Sequence, residues 1–292
     1  MEMKRSEFLA YVTPSFLIML ALMVFPLFFS IYLSFRNFTY GGPASSAGGN
    51  FVGFENYLYI LSSSRFWGAI SFTLMLVIVS GTVSIVLGLT IAILLYEAKK
   101  MEGAFIAGYL LPYTVPPVVT TMIFGWLFRN NWGYIDYLLG QIGININWFA
   151  SKWSARALIS MHTVWWMMPF VVLVFYAALQ AMPQHFLEAA RVDGASYLQR
   201  VYYVIIPYLK PLIIFVGMIL IQDIFRIFDN VAVMTAGGPG TTTETLAYYN
   251  YQIAFGKLSI GMGSAISVVT VAFTFLLLGP FIYKTYLEQQ NI

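Results

Sequence analysis

The chain has 292 residues, of which 60% are apolar and 27 (15 Lys or Arg, 12 Asp or Glu) are charged. A charged share of 9%, against roughly 25% in ordinary soluble domains, and a mean hydropathy of +0.77 exclude a soluble globular protein. The lack of cysteine removes disulfide scaffolds and thiolate chemistry, and a net charge of +3 with no basic run removes a nucleic-acid grip.

What remains is lipid as solvent. A hydrocarbon core about 30 Å thick needs roughly 20 apolar residues of helix per crossing. Runs of that length fall at about 9–35, 66–96, 104–128, 155–181, 209–236 and 259–283. The first is too long for a signal-peptide core and lacks a small-x-small cleavage site, so it reads as a retained anchor. Six spans predict an all-α polytopic helical membrane protein, one domain over 1–292, with both termini on one side.

The side follows from the Lys and Arg bias of cytoplasmic loops. Termini inside puts Lys4, Arg5, Lys99, Lys100, Arg191, Arg200, Lys210 and Lys284 on the cytoplasmic face. Arg36, Arg65, Arg129, Lys152, Arg156 and Lys257 then face out. Eight against six, with the paired lysines of the short 97–102 connection, predicts cytoplasmic termini. Outer loops such as 40–56, with turns at Gly41, Gly42, Pro43, Gly48 and Gly49, read as interfacial caps. Trp126, Trp132, Tyr134, Tyr137, Trp148 and Trp153 gather near span ends, as an aromatic belt requires.

The connection between spans four and five, 182–208, carries the most information. Pro183 suits a helix start, Gly194 a left-handed turn past a helix end, and Ser196 a cap on a second helix that stops before Pro207. Ala189, Ala190 and Ala195 leave room for close approach by another protein, and Glu188, Arg191 and Asp193 offer charge. A solvated helix pair that merely links two spans is the plainer alternative.

The spacing in this loop resembles the signature of membrane subunits of bacterial ATP-binding cassette (ABC) importers: Glu-Ala-Ala, three residues, Gly, nine residues, then Ile-x-Leu-Pro. Glu188, Ala189, Ala190, Gly194 and Pro207 match, while Val204 and Ile206 stand where Ile and Leu are usual. Residues 51–57, Phe-Val-Gly-Phe-Glu-Asn-Tyr, resemble an element of carbohydrate-type permeases. Thr235, Ala236, Gly237, Gly238 and Pro239, with Thr245, Tyr249, Tyr251 and Phe255 beyond, resemble the Thr-x-Gly-Gly-Pro element of the larger maltose-transporter permease type.

The resemblance implies the type I ABC importer permease fold, with six transmembrane helices and a cytoplasmic coupling-helix loop. It implies the bacterial cytoplasmic (inner) membrane and, as partners, a second and different permease, two ABC ATPases and an extracytoplasmic sugar-binding protein. The role of seating in an ATPase groove and transmitting its closure carries to Glu188, Ala189, Ala190, Asp193 and Gly194. No Gly-x-x-x-x-Gly-Lys-Ser/Thr run occurs, so ATP and Mg are expected on the partner ATPase, with no cofactor on this chain and no enzyme activity of its own.

Ionisable groups inside a span are costly and face a pathway or pair with one another. Span five holds Gln222, Asp223, Arg226 and Asp229, the last three at intervals of three and so on one drifting helical face. They read either as a pathway or as a self-contained ion-pair ladder. Thr163, Trp166, Met167 and Phe170 form one stripe on span four, read either as helix packing or as cavity wall. Resemblance to the family places substrate contacts on this stripe and on Leu220, Asp223, Ile224 and Ile227. An aromatic face against a sugar ring with Asp223 accepting from hydroxyls fits a neutral ligand, and Arg226 receiving an anionic group fits an acidic one. His162 and His185, with no third histidine, read as structural hydrogen-bonding residues. A second function class is an ion-coupled secondary transporter that uses Asp223 or Asp229.

Overall fold

The computed structural model describes residues 5–42, 48–98 and 102–290, with side chains over 11–42, 48–98 and 108–283. Lys4, Pro43, Lys99 and Lys100 lie outside the described residues, as do the side chains of Arg5 and Lys284. In chain order the helices are α1 (Arg5–Met19), α2 (Phe25–Ser34), α3 (Glu55–Ser62), α4 (Ser64–Ala98), α5 (Glu102–Thr114), α6 (Pro117–Leu127) and α7 (Tyr134–Gln141). They continue as α8 (Lys152–Gln180), α9 (Gln184–Val192), α10 (Tyr197–Arg200), α11 (Ile206–Phe225), α12 (Asp229–Met234), α13 (Leu246–Tyr251) and α14 (Ile260–Gln290). Wider π turns at Leu20–Val24, Val201–Ile205 and Gln252–Gly256 join successive helices.

Among the described residues, five stretches are single helical runs long and apolar enough to cross a bilayer: Tyr11–Ser34, Ser64–Ala98, Lys152–Gln180, Tyr197–Phe225 and Ile260–Tyr283. The expected third span is two pieces, Gly108–Thr114 and Pro117–Leu127, bent by 108°. The cause is local. Pro116 precedes Pro117 and is pushed out of the helical region to φ −54°, ψ 136°, because a proline ring clashes with a helical residue before it.

Two compact units make up the chain, Met1–Phe66 with Tyr249–Phe273, and Trp67–Tyr248 with Thr274–Ile292. In the first unit the 51–57 element acts as a cap on α2. Buried Asn56 donates its amide to the carbonyls of Ser34 (2.8 Å) and Arg36 (2.9 Å). The hydroxyls of Tyr57 and Ser34 meet at 2.6 Å, and the Phe35 and Phe54 rings pack edge to face at 5.3 Å. Carbonyls at a helix end have no partner within the helix, so one asparagine satisfies two groups that lipid could not.

The second unit packs α4, α8 and α11 through Phe72, Leu76, Ile159, Val171, Phe175 and Val216, all buried. A Cβ on Gly88 of α4 would lie 2.6 Å from Val171 Cγ1 on α8, so the small residue sets how closely the two spans cross. Hydroxyls inside the spans bond the carbonyl one turn back, as Thr73 does to Ala69 (2.9 Å) and Ser160 to Arg156 (2.9 Å). That arrangement gives these two hydroxyls a partner in an apolar surround.

Span five departs from expectation at both ends. The second loop helix does not stop before Pro207. It runs through α10 and the π turn into α11, continuous from Tyr197 to Phe225. At the π turn the Ile206 N–H reaches back to the Val201 carbonyl, a widened step that accommodates the proline ring and its missing donor. At the other end α11 closes at Phe225, with Arg226 N–H on the Asp223 carbonyl (3.2 Å) and Ile227 N–H on that of Ile224 (3.1 Å). Asp229 opens α12, where an acidic first turn suits the helix dipole. Asp223, Arg226 and Asp229 therefore do not share one continuous helical face, as their spacing had suggested, and of their two readings the ion-pair ladder is not formed. The break is held from afar: Thr245 Oγ1 donates to the Ile227 carbonyl at 2.7 Å.

Candidate functional site

The loop between α8 and α11 is built from strictly local chemistry. Pro183 caps α9, and α9 ends in a paired-bond motif about Gly194. The Ala195 N–H bonds the Ala190 carbonyl (2.9 Å) and the Gly194 N–H that of Arg191 (3.1 Å). Gly194 takes φ +75°, a left-handed conformation that a side chain would strain. Ser196 then forms a reciprocal capping box: Ser196 N–H donates to Gln199 Oε1 (2.7 Å), and Ser196 Oγ accepts from the Gln199 N–H (3.4 Å). Leu187 is buried beside Met182, Ile205 and Leu209 in the core. Glu188, Ala189, Arg191, Asp193 and Gly194 are exposed, and Ala190 is half-buried. Anchored on one side, the loop presents the whole Glu-Ala-Ala–Gly segment on the other.

The span-four stripe lies on α8 as its spacing predicts, and its members differ in surroundings. Thr163 and Met167 are buried. Thr163 accepts from the Asn230 amide of α12 at 3.1 Å and donates to the Ile159 carbonyl at 2.9 Å. His162, also buried, meets Thr120 (3.3 Å) and Thr121 (3.4 Å) of α6, and Thr121 reaches Asn230 at 3.4 Å. These residues tie α6, α8 and α12 into one polar knot, in which His162 has a structural role. Trp166 and Phe170 are half-buried and line up with Tyr113 of α5, at ring distances of 5.6 and 6.2 Å. Tyr113 carried no periodic signal, because its helix ends just before the Pro116–Pro117 bend. On span five Leu220, Ile224 and Ile227 are buried, Asp223 is half-buried and Arg226 exposed. His185 lies exposed on α9, its ring 4.4 Å from that of Phe186.

The Thr-Ala-Gly-Gly-Pro segment folds on itself after α12. Thr243 Oγ1 donates to the Gly238 carbonyl (2.7 Å) and meets Thr235 Oγ1 (2.9 Å), and the Gly238–Pro239 peptide is cis. Gly237 takes φ +84°, and a Cβ there would lie 2.9 Å from both Glu244 Cγ and Tyr248 Cε1. Arg156 holds this loop from α8: Nε donates to the Thr242 carbonyl at 2.8 Å, and the guanidinium lies 4.9 Å from the Phe72 ring. Counted above among loop charges, Arg156 is in fact a buried cation inside α8. Trp148, placed in the aromatic belt above, is buried too and packs edge to face on Phe128 at 5.1 Å. The 142–151 segment folds back over the end of α6, which nothing in its composition announces.

Comparison with known proteins agrees with this architecture. Residues 84–289 match the family described as binding-protein-dependent transport system inner membrane component. The trehalose/maltose transport system permease protein MalF of Thermococcus litoralis is 36% identical over 223 residues, 75% of each chain. The sulfoquinovosyl glycerol transport system permease protein SmoG of Agrobacterium fabrum is 32% identical over 262 residues, 89% of this chain and 83% of its own. Among solved structures, a chain of the bacterial alginate ABC transporter in complex with an alginate pentasaccharide-bound periplasmic protein superposes with a TM-score of 0.81. It is 18% identical and is matched over 94% of this chain and 92% of its own. Its fold is that of an ABC importer permease. Membership of this family sets aside the ion-coupled reading and leaves ATP hydrolysis to another subunit of the assembly. The chain belongs to the binding-protein-dependent transport system inner membrane components, the multi-pass permease subunits of ABC importers.

Proposed function

We propose that this chain forms half of the translocation pathway of an ATP-driven importer for a sugar or sugar derivative. In that reading a different permease chain supplies the other half. Two ABC ATPases bind ATP and Mg on the cytoplasmic side, where both termini lie, and a sugar-binding protein delivers cargo from outside. This chain itself binds no cofactor. The observation that carries the reading is the 182–208 loop, whose exposed Glu188, Ala189, Asp193 and Gly194 stand, with half-buried Ala190, on a helix closed by local bonds and uncovered by the other described residues. An ATPase seated on that surface would move span five directly.

The names of relatives support a carbohydrate cargo, with neutral disaccharides and an anionic sulfosugar both represented. Trp166 and Phe170, with Tyr113 beside them, offer flat faces to a sugar ring, and Thr163, Met167, Leu220, Ile224 and Ile227 brace that wall. Asp223 and Arg226 remain the polar groups of span five able to meet hydroxyls or an acid. The test is to purify the chain with the ATPase, permease and binding protein it retains, then screen sugars for stimulated ATP hydrolysis. Stimulation by a carbohydrate is the expected result. Uptake that follows an ion gradient without any ATPase would overturn it.

A further inference from the structure

Two cavities of the second unit share Arg129 in their lining. The first, about 560 Å³, is lined by Trp126, Arg129 and Trp132. The second, about 410 Å³, is lined by Arg129 with polar Asn130, Asn147 and Thr235 and apolar Phe149 and Met234 among others. Both volumes fall in the range of small-molecule sites, roughly 300–1,000 Å³.

The corner that carries Arg129 is fixed by its own bonds. The Arg129 carbonyl accepts from the N–H groups of Trp132 (3.2 Å) and Gly133 (2.7 Å), and a Cβ on Gly133 would strike the Leu127 carbonyl. Asn131 takes φ +64° with its N–H on Asp136 Oδ2 (2.9 Å). Asn130 donates to the Ile146 carbonyl (2.9 Å) and to Asp136 Oδ1 (3.4 Å). Asp136 is thus committed to Asn130 and Asn131, and among the described residues no side-chain hydrogen bond or ion pair engages the Arg129 guanidinium.

Tryptophan and arginine at a span end are also the composition of a membrane anchor. The second cavity argues against that reading. Among the described residues no hydrogen bond engages the Asn147 side chain or Asn130 Oδ1 there, and hydrocarbon would leave those groups without partners. We propose that Arg129, Trp126 and Trp132 form an entrance subsite for a saccharide that carries a negatively charged substituent. Indole faces cover the apolar face of the ring. The paired N–H groups of the guanidinium fork onto the anionic group, and Asn130 Oδ1 and the Asn147 amide meet hydroxyls. The subsite is separate from the span-four and span-five residues, and it rests on the carbohydrate reading above.

The test uses the assembled complex, without binding protein, in phosphatidylcholine nanodiscs. It is titrated with maltotriose and with maltotriose bearing one terminal uronate, and binding is followed by tryptophan fluorescence assigned with Trp126→Phe and Trp132→Phe. The wild type is expected to bind the uronate about tenfold more tightly than the neutral sugar. Arg129→Gln brings the two to parity with the neutral affinity unchanged, and Arg129→Lys keeps part of the preference. Equal affinities in the wild type, or a preference that survives Arg129→Gln, overturn the subsite. So does a preference that vanishes when phosphatidylglycerol is added to the nanodisc, since the guanidinium then serves a lipid headgroup. With the binding protein restored, failure of every saccharide to stimulate ATP hydrolysis sinks the carbohydrate reading itself. Stimulation without a uronate preference sinks only the subsite.

Discussion

Two glycine-bearing loops of the second unit, 182–208 and 226–246, solve the same problem in opposite ways. Each must turn the chain sharply between helices. The first does so with bonds that span at most five residues, from Ala195 back to Ala190 and between Ser196 and Gln199, and it leaves Glu188, Ala189, Asp193 and Gly194 exposed. The second is fastened by groups far away in sequence: Arg156 on the Thr242 carbonyl, Thr163 on Asn230 and Thr73 on the Leu246 N–H. A locally specified loop can be altered on its face without loss of fold, whereas a loop held by tertiary bonds cannot.

Substitutions at five positions sharpen that contrast, the largest effect first. Glu188→Lys and Gly194→Pro are expected to abolish substrate-stimulated ATP hydrolysis while the binding protein still holds its ligand. Glu188→Lys should leave the thermal midpoint in place, because its side chain is exposed. Normal coupled hydrolysis in both variants would refute the docking role. Next comes Arg156→Met, which deletes a charge-assisted bond to a buried carbonyl. The expected loss is about 2–3 kcal/mol, read as a lowered unfolding midpoint of the purified complex. Gly237→Ala adds a methyl at 2.9 Å from Glu244 and Tyr248 at a positive φ, for about 1–3 kcal/mol. Smallest is Ser196→Ala, about 1 kcal/mol, with Ser196→Asp restoring the cap. An unchanged midpoint in Arg156→Met beside a marked drop in Ser196→Ala would invert the comparison.

The same distinction explains what could be read from the sequence. Gly194, Ser196 and the spans of α4, α8 and α14 were legible, because capping residues and apolar runs act over a few neighbours. The break after Phe225 was not. Spacing alone put Asp223, Arg226 and Asp229 on one face, but Thr245, 18 residues from Ile227, takes the carbonyl that a continuing helix would have used. Trp148 and Arg156 misled for a related reason. Both have the composition of a membrane interface, and only the fold of 142–151 over α6 and the approach of Thr242 bury them. The Pro116–Pro117 bend was written locally yet overridden in the reading by the length of the apolar run around it.

The proline that interrupts nothing has a mechanical consequence. Because the π turn carries the helix past Pro207, 29 residues from Tyr197 to Phe225 form one element, about 43 Å long at 1.5 Å per residue. No break in the helix separates the loop from the span. A displacement applied beside Ser196 is therefore carried along one helical run to Phe225. There the helix stops, at a break that Thr245 pins through the Ile227 carbonyl.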